Sequence, residues 1–492
     1  MSVLRGVSTT VKHALRALGY GLIGGLIVGL AVAVYVLDNR PDLTVWHTVD
    51  LDEEFTVDTP IDSFDQYLAL EERLFAQLDT EVYDAISPAE RSDINRFTRG
   101  SLSDPSHWPR NWNRSFEFPV DTPRIGVLLI HGLSDSPYSM RSLAESLHAQ
   151  GAFVVGLRVP GHGTAPSGLV RVEWPDMAAA VRLAAKHVKA KVGDRPLMLV
   201  GYSNGAALSV EYALEALEDP SLPAPDRLVL LSAAIGITRF AALAVWQERL
   251  GHLLGLQKLA WTSIVPEYDP FKYGSFALNA GKLAFEITRE IQARFDRIAA
   301  TGALEKFPPV LAFQSVVDAT VTAPDLVTGL FDRLPEGGHE LVLFDINRFG
   351  RVDSLLRRDP SFWLDDMLRH ADKTFAIRVV SNSGPDRFDV VLRSQEAGAS
   401  DITEQPLELA WPRDVYSLAH VSLPFPPDDP VYGGPDAAPG PGIHLGNVAL
   451  RGERGVLVVS ADEMLRLRWN PFHSFVAART VEVLEELAPR VH

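Results

Sequence analysis

Six short, uninterrupted apolar runs alternate with longer helical stretches between residues 125 and 344, and this alternation constrains the fold most. The runs are Ile125–Ile130, Phe153–Leu157, Leu197–Val200, Leu228–Leu231, Val310–Phe313 and Leu341–Phe344. Between them lie Ser142–Gln150, Met177–Val192, Asn204–Leu217 and Pro324–Leu334, with apolar residues at helical spacing. A strand that is apolar at every position has to be covered on both faces, which a parallel sheet between helices achieves. The pattern therefore predicts an α/β fold: a mostly parallel sheet, helices on both faces, and chemistry at the carboxyl ends of the strands. With 492 residues, 46% of them apolar, the chain has ample material for such a core.

Two stretches break the alternation. Residues 233–306 carry Phe240, Leu243, Trp246, Leu250, Leu253, Leu254, Leu256, Leu259 and Trp261, and read as a helical cap insertion. Residues 345–419 read as a second insertion, with strand-like Phe375–Val380 and Phe388–Leu392. The α/β domain as a whole is expected over 115–492. Residues 38–114 form an acidic neck, in which Phe64, Tyr67, Leu68, Leu74, Phe75 and Leu78 predict one amphipathic helix behind Asp62-Ser63.

Ahead of the neck, Ala17–Leu37 is a run of 21 residues without a charge. As a helix rising about 1.5 Å per residue it would reach about 31 Å, the hydrocarbon thickness of a bilayer. Residues 1–16 are basic (Arg5, Lys12, Arg16), whereas Asp38, Asp42, Asp50, Asp52, Glu53 and Glu54 follow the run. Positive charge stays on the cytoplasmic side, so the expectation is a single-pass anchor with the remainder across the membrane, in a bacterium the periplasm. A cleaved signal peptide ending near Ala31-Val32-Ala33 is the competing reading; the apolar run continuing to Leu37 speaks against it. Gly21, Gly25 and Gly29, four residues apart, would let two such helices approach closely and form a homodimer.

The charge balance, 46 basic residues against 63 acidic ones, gives −17 and argues against a nucleic-acid partner. The absence of cysteine excludes disulfides, thiolate metal sites and cysteine nucleophiles. No HExxH, phosphate-binding P-loop or dinucleotide fingerprint occurs, so no metal or organic cofactor is expected.

The chemistry-bearing motif is Leu197-Met198-Leu199-Val200-Gly201-Tyr202-Ser203-Asn204-Gly205-Ala206-Ala207, which reads as strand, turn and helix. A serine on such a turn is held clear of the backbone in a strained conformation, and glycines two before and two after it leave room for the tight approach. The helix that follows points its first amides at the reacting centre. Upstream, Ile125–Ile130 runs into His131-Gly132-Leu133-Ser134-Asp135. In this architecture the oxyanion hole draws one amide from that loop and one from the residue after the nucleophile, here Leu133 and Asn204. His131 precedes the serine in the chain and is read as bracing its loop.

These motifs, together with Arg158-Val159-Pro160-Gly161-His162-Gly163, resemble the α/β-hydrolase superfamily, in its monoacylglycerol lipase, lysophospholipase and serine aminopeptidase-like branch. The resemblance covers roughly 120–335 and implies a structural role for His162 and a triad in the order serine, acid, histidine. Asp318, just beyond the apolar strand Val310–Phe313, fits the acid; Asp325 falls inside the next helical pattern. Five histidines follow Asp318. His339 precedes its strand, His370 lies on an amphipathic helix, His444 follows a Pro/Gly loop, and His473 opens the last helix. His420, in Leu418-Ala419-His420-Val421, resembles the family's base position, with the 345–419 insertion between the last strand and its histidine loop; His473 is the runner-up. The triad implies a serine hydrolase, and the apolar insertion together with the membrane anchor suggests an acyl chain drawn from lipid, hence a carboxylic ester such as a lysophospholipid or monoacylglycerol. A peptidase of the same fold is the alternative, and an inactive envelope scaffold the reading from another class.

Overall fold

The computed structural model describes residues 13, 15–25, 27–29, 35, 39–236, 257–350, 355–357, 359–446, 448 and 457–488. At its centre is a ten-stranded sheet. Its strands are β1 (Phe116–Phe118), β2 (Ile125–Ile130), β3 (Ala152–Leu157), β4 (Leu197–Tyr202), β5 (Arg227–Leu231), β6 (Val310–Ser315), β7 (His339–Phe344), β8 (Phe375–Asn382), β9 (Asp389–Gln395) and β10 (Ile402–Ala410). Their order across the sheet is β1-β3-β2-β4-β5-β6-β7-β8-β9-β10. From β3 to β8 neighbouring strands are parallel; β1, β9 and β10 run antiparallel to their neighbours.

The helices are α1 (Phe64–Leu78), α2 (Arg141–Ala149), α3 (Trp174–Val192), α4 (Asn204–Glu218), α5 (Leu278–Ala299), α6 (Ala323–Gly329), α7 (Ser361–Arg369) and α8 (His473–Leu487). Strand periodicity divides the core into two layers. In β4, Leu197 and Leu199 face the layer built with α1, α3, α4 and α5, while Met198, Val200 and Tyr202 face the layer built with α2 and α8. Each such side chain, fully buried, contributes about 1.5–3 kcal/mol of burial free energy. This is why every residue of β2, β3, β4, β6 and β7 is apolar or otherwise buried.

Residues 39–114, set apart by their acidity, are packed into the domain rather than spacing it from anything. Ser63 caps α1, and the helix buries Phe64, Tyr67, Leu70 and Leu74 at helical spacing. Phe55, Phe64, Tyr67 and Leu70 join the core layer of α3. The Tyr67 hydroxyl donates to the Arg158 carbonyl (2.7 Å), and the Arg158 guanidinium is clamped by Glu71 (3.1 Å) and Glu54 (2.9 Å). The acidic composition thus supplies partners for a buried arginine.

The second insertion, 345–419, extends the main sheet. β8 lies parallel to β7, and β9 and β10 add an antiparallel meander. β10 had no strand signature in the sequence because it is an edge strand with mostly exposed residues and Pro406. Of the segment read as a helical cap, residues 278–299 are instead the core helix α5, whose Leu283, Ile287, Ile291 and Phe295 pack in the sheet's core layer. The rest of that segment is described over 233–236 and 257–277. Within it, Trp261–Ser263 and Phe276–Ala277 pair as a small ribbon; Phe240, Leu243, Trp246, Leu250, Leu253, Leu254 and Leu256 lie outside the described residues.

Among the described residues no helix is long and apolar enough to cross a membrane. The run Ala17–Leu37 is described in part, residues 26, 30–34, 36 and 37 lying outside. Its described members include Leu18, Leu22, Ile23, Ile27 and Val28, all exposed. Nothing stands within 4 Å of where a Cβ on Gly21, Gly25 or Gly29 would be.

Candidate active site

Ser203 stands between β4 and α4 with φ +54 and ψ −115, a left-handed conformation rare for serine. Such strain costs about 1–3 kcal/mol and persists only where the surroundings over-determine it. Here the Ser203 N–H donates to the Leu231 carbonyl (2.8 Å), and the Ser203 carbonyl accepts from Ala206, Ala207 and Ala234. Two glycines permit the approach. A Cβ on Gly205 would stand 2.1 Å from the Ile130 carbonyl oxygen, and one on Gly132 would stand 3.0 Å from the Ser203 Cβ. The loop after β2 is therefore pressed against the serine turn. Leu133 follows Gly132 in that loop, and Asn204, next to Ser203, opens α4.

The structure brings Asp318 and His420 to the same place. His420 Nε2 lies 2.9 Å from Ser203 Oγ and its Nδ1 lies 2.7 Å from Asp318 Oδ2. The imidazole therefore donates from Nδ1 to the carboxylate and accepts from the serine hydroxyl at Nε2. Asp318 is buried and heavily bonded: its Oδ1 accepts from the Thr320 and Val321 amides (2.8 and 3.0 Å), and its Oδ2 also accepts from Gln314 Nε2 (2.9 Å). Gln314 spans to the Val321 carbonyl as well (2.8 Å). Sequence reasoning passed over this glutamine, because a buried amide at a strand's end carries no motif.

The histidine loop is held by the carboxyl ends of the strands. Ser315 Oγ donates to the Leu418 carbonyl (3.0 Å) and Ser232 Oγ to the His420 carbonyl (3.3 Å). Asn347, just past β7, donates from its backbone to Tyr416 (2.7 Å) and from its side chain to Val415 (2.9 Å). These bonds return the chain to the site after its excursion through β8–β10.

The remaining histidines lie elsewhere. His131 accepts the Val159 N–H at Nε2 (3.1 Å) and donates from Nδ1 to the Gly132 carbonyl (2.9 Å), tying the loop after β2 to the 158–163 loop. Burial holds its pKa well below the usual value, as burial also lowers that of His162 to about 4. His162 bonds the Pro160 carbonyl (2.9 Å). His339 accepts the Val310 N–H at the amino end of β7, across the sheet from Ser203. His370 is exposed just past the end of α7, and His444 lies beside the Pro430 carbonyl. His473 is buried at the start of α8, and burial lowers its pKa to about 4. Asp325 sits in the first turn of α6, bonded to Thr322.

Val421, next to His420 in the chain, lines a small cleft together with Asp135, Lys272, Tyr432 and Arg468. Lys272 pairs with Asp135 of the loop after β2 (2.9 Å), and the Tyr273 N–H donates to the Ser134 carbonyl (2.8 Å). Asp269 accepts from the Tyr432 hydroxyl (2.6 Å) and from the Phe271 and Lys272 amides. These groups come from four distant segments and had no common sequence signal.

Residues 121–345 match the serine aminopeptidase S33 family. A thermostable monoacylglycerol lipase from Bacillus sp. (strain H-257) is 31% identical over 125 residues, which are 25% of this chain and 47% of that protein. The chain thus spans about half the length of this curated relative. Among solved structures, the monoacylglycerol lipase of Paleococcus ferrophilus is 21% identical with a TM-score of 0.35, covering 47% of this chain and 88% of that one. A soluble variant of monoglyceride lipase from Saccharomyces cerevisiae, solved with a substrate analogue, is 15% identical with a TM-score of 0.36, covering 47% and 82%.

Proposed function

We propose that this chain, which carries an α/β-hydrolase fold, is a membrane-anchored serine hydrolase that cleaves carboxylic esters of lipid type, such as a monoacylglycerol or lysophospholipid. The observation that carries the reading is the bonded chain Asp318–His420–Ser203 at the carboxyl edge of the sheet. In the proposed reaction Ser203 Oγ attacks the ester carbonyl while His420 Nε2 takes its proton. The Leu133 and Asn204 amides stabilise the oxyanion, each such donor being worth about 3 kcal/mol. His420 then returns the proton to the leaving alcohol, and a water repeats the sequence on the acyl-enzyme. Asp318 fixes the imidazole's tautomer and balances the imidazolium charge without taking the proton. The lipid class rests on the apolar N-terminal run, which would anchor the domain on the periplasmic side of a bacterial membrane, and on the monoacylglycerol lipase relative. Gly21, Gly25 and Gly29 offer a face for a second copy of the anchor.

The S33 match raises a peptidase reading, which requires a carboxylate free to hold a substrate amine. Of the carboxylates lining the cleft, Asp135 and Asp269 are engaged by Lys272 and Tyr432, and Glu463 stands 3.8 Å from Arg466; the monoacylglycerol lipase relative makes the ester reading the preferred one. Labelling of the detergent-solubilised chain with a fluorophosphonate tests it. Label is expected on the wild type and on His473→Ala, and absent from Ser203→Ala and His420→Ala. A folded wild type that takes no label would overturn the enzyme reading in favour of a scaffold. Hydrolysis of aminoacyl amides in preference to acylglycerols would favour the peptidase.

A further inference from the structure

The Tyr35 carbonyl of the apolar N-terminal run accepts from the Asn39 backbone N–H (3.1 Å) and from its side-chain amide (2.7 Å). The next residue, Arg40, is half-buried and donates to three carbonyls of the domain. Its Nη1 reaches Lys258 and its Nη2 reaches Trp261 and Thr262, all at 2.8 Å. Lys258 answers with Nζ to the Arg40 carbonyl (3.0 Å) and to the Asp42 carboxylate (2.8 Å). A few residues on, His47 Nε2 bonds Ser275 Oγ (2.9 Å) and its ring stands edge-on to Trp261. A guanidinium shared by three carbonyls is a directional staple, unlike an exposed ion pair.

From this staple we infer that the edge formed by Arg40–Asp42 and Lys258–Thr262 is a membrane-contact surface, whose partner is the lipid headgroup layer of the leaflet from which the anchor emerges. The inference rests on the anchor reading above and adds an orientation to it. If the run ends in the bilayer at Leu37, Arg40 is three residues away, at most about 10 Å of extended chain. Residues 258–262, bonded to it, must then lie at the headgroup level. The same segment continues to Lys272 and Tyr273, which hold the loop carrying Leu133. The contact therefore lies on the same stretch of chain, ten residues before Lys272, that holds this loop. The edge's charges are engaged within the protein, Lys258 by Asp42 and Arg40 by three carbonyls, so the contact depends on the staple and not on charge.

The lack of cysteine makes the test direct. A single cysteine replaces Thr262, whose side chain is exposed, or Asp194, exposed in the loop before β4 at the opposite end of the strands from Ser203. Each carries an environment-sensitive fluorophore in the full chain, reconstituted into phosphatidylethanolamine/phosphatidylglycerol vesicles containing headgroup spin-labelled lipid. The Thr262→Cys label is expected to be quenched at least threefold more than the Asp194→Cys label, equally in low and high salt. Adding Arg40→Ala should release the Thr262→Cys label from quenching while the protein still floats with the vesicles. Equal quenching at the two sites in floating protein overturns the orientation, and quenching that survives Arg40→Ala overturns the staple as its cause. Protein that fails to float with vesicles overturns the anchor reading itself, and the orientation with it.

Discussion

Replacing Gln314 by leucine removes one of the four hydrogen bonds that the Asp318 carboxylate accepts, and leaves every group of the proposed triad in place. The lost bond, 2.9 Å from Nε2 to Oδ2, falls on the same oxygen that receives His420 Nδ1. A hydrogen bond to a charged group contributes about 1.5–3 kcal/mol. The bond orients the carboxylate toward the imidazole, and its loss is felt most as the imidazolium forms. The fall in kcat is therefore expected at the lower end of that range, about tenfold. Stability should fall by about 1.5–3 kcal/mol for the lost bond to the buried carboxylate, while two further effects oppose each other. The Val321 carbonyl loses its 2.8 Å donor, which costs about 1–3 kcal/mol in a buried setting. The Gln314 Oε1, buried without a partner in the wild type, disappears and relieves a penalty of the same size. The assay is kcat on a short p-nitrophenyl ester, with the melting temperature measured on the same samples. A folded Gln314→Leu protein whose kcat stays within twofold of wild type would refute the reasoning, because Thr320 and Val321 would then suffice to hold Asp318.

Gly132→Ala should lower kcat about 10–100-fold, since a Cβ 3.0 Å from the Ser203 Cβ displaces the loop that supplies the Leu133 amide; the check is kcat with the fold verified by circular dichroism. His473→Asn should flatten the acid side of the stability profile. Burial lowers the His473 pKa from 6.5 to about 4, so between those values the unfolded chain binds one more proton and stability falls by about 1.4 kcal/mol per pH unit lost. Urea midpoints at pH 7 and pH 5 should therefore differ less in the variant than in wild type. Deleting residues 1–38 should leave kcat on a water-soluble ester unchanged, whereas deleting 1–114 should abolish soluble expression. The longer deletion exposes the core around Phe55, Phe64, Tyr67 and Leu70 and leaves Arg158 without its carboxylates.

The strands from β2 to β7 and the helices α2, α3, α4 and α6 were legible in the sequence, because burial on both faces of a parallel sheet writes an unbroken apolar run at each strand; α5 was read as part of a cap. The serine turn was legible for a related reason. Gly201, Ser203 and Gly205 are neighbours in the chain, and the tight approach they permit is settled within one strand, one turn and one helix. β1 and β10 were not legible, the first being three residues long and the second an exposed edge. The acidic stretch 38–114 read as a neck because composition records charge and not its partner; only packing shows Glu54 and Glu71 turned inward onto Arg158.

What the sequence determined by itself is whatever depends on residues close together along the chain: the α/β alternation, the elbow at Ser203, and Asp318 at the end of β6. What tertiary structure alone decided is which distant residues meet. His420 lies 102 positions from Asp318, and its place beside Ser203 follows from β8–β10 extending the sheet and from Ser232, Ser315 and Asn347 drawing the chain back. Lys272, Tyr432 and Arg40 likewise take their roles from partners far away in the chain. Local periodicity is set by which face of an element is buried, and it survives in the sequence as a pattern. A contact between remote segments is set by the packing of the whole domain, and it leaves only an unremarkable polar residue.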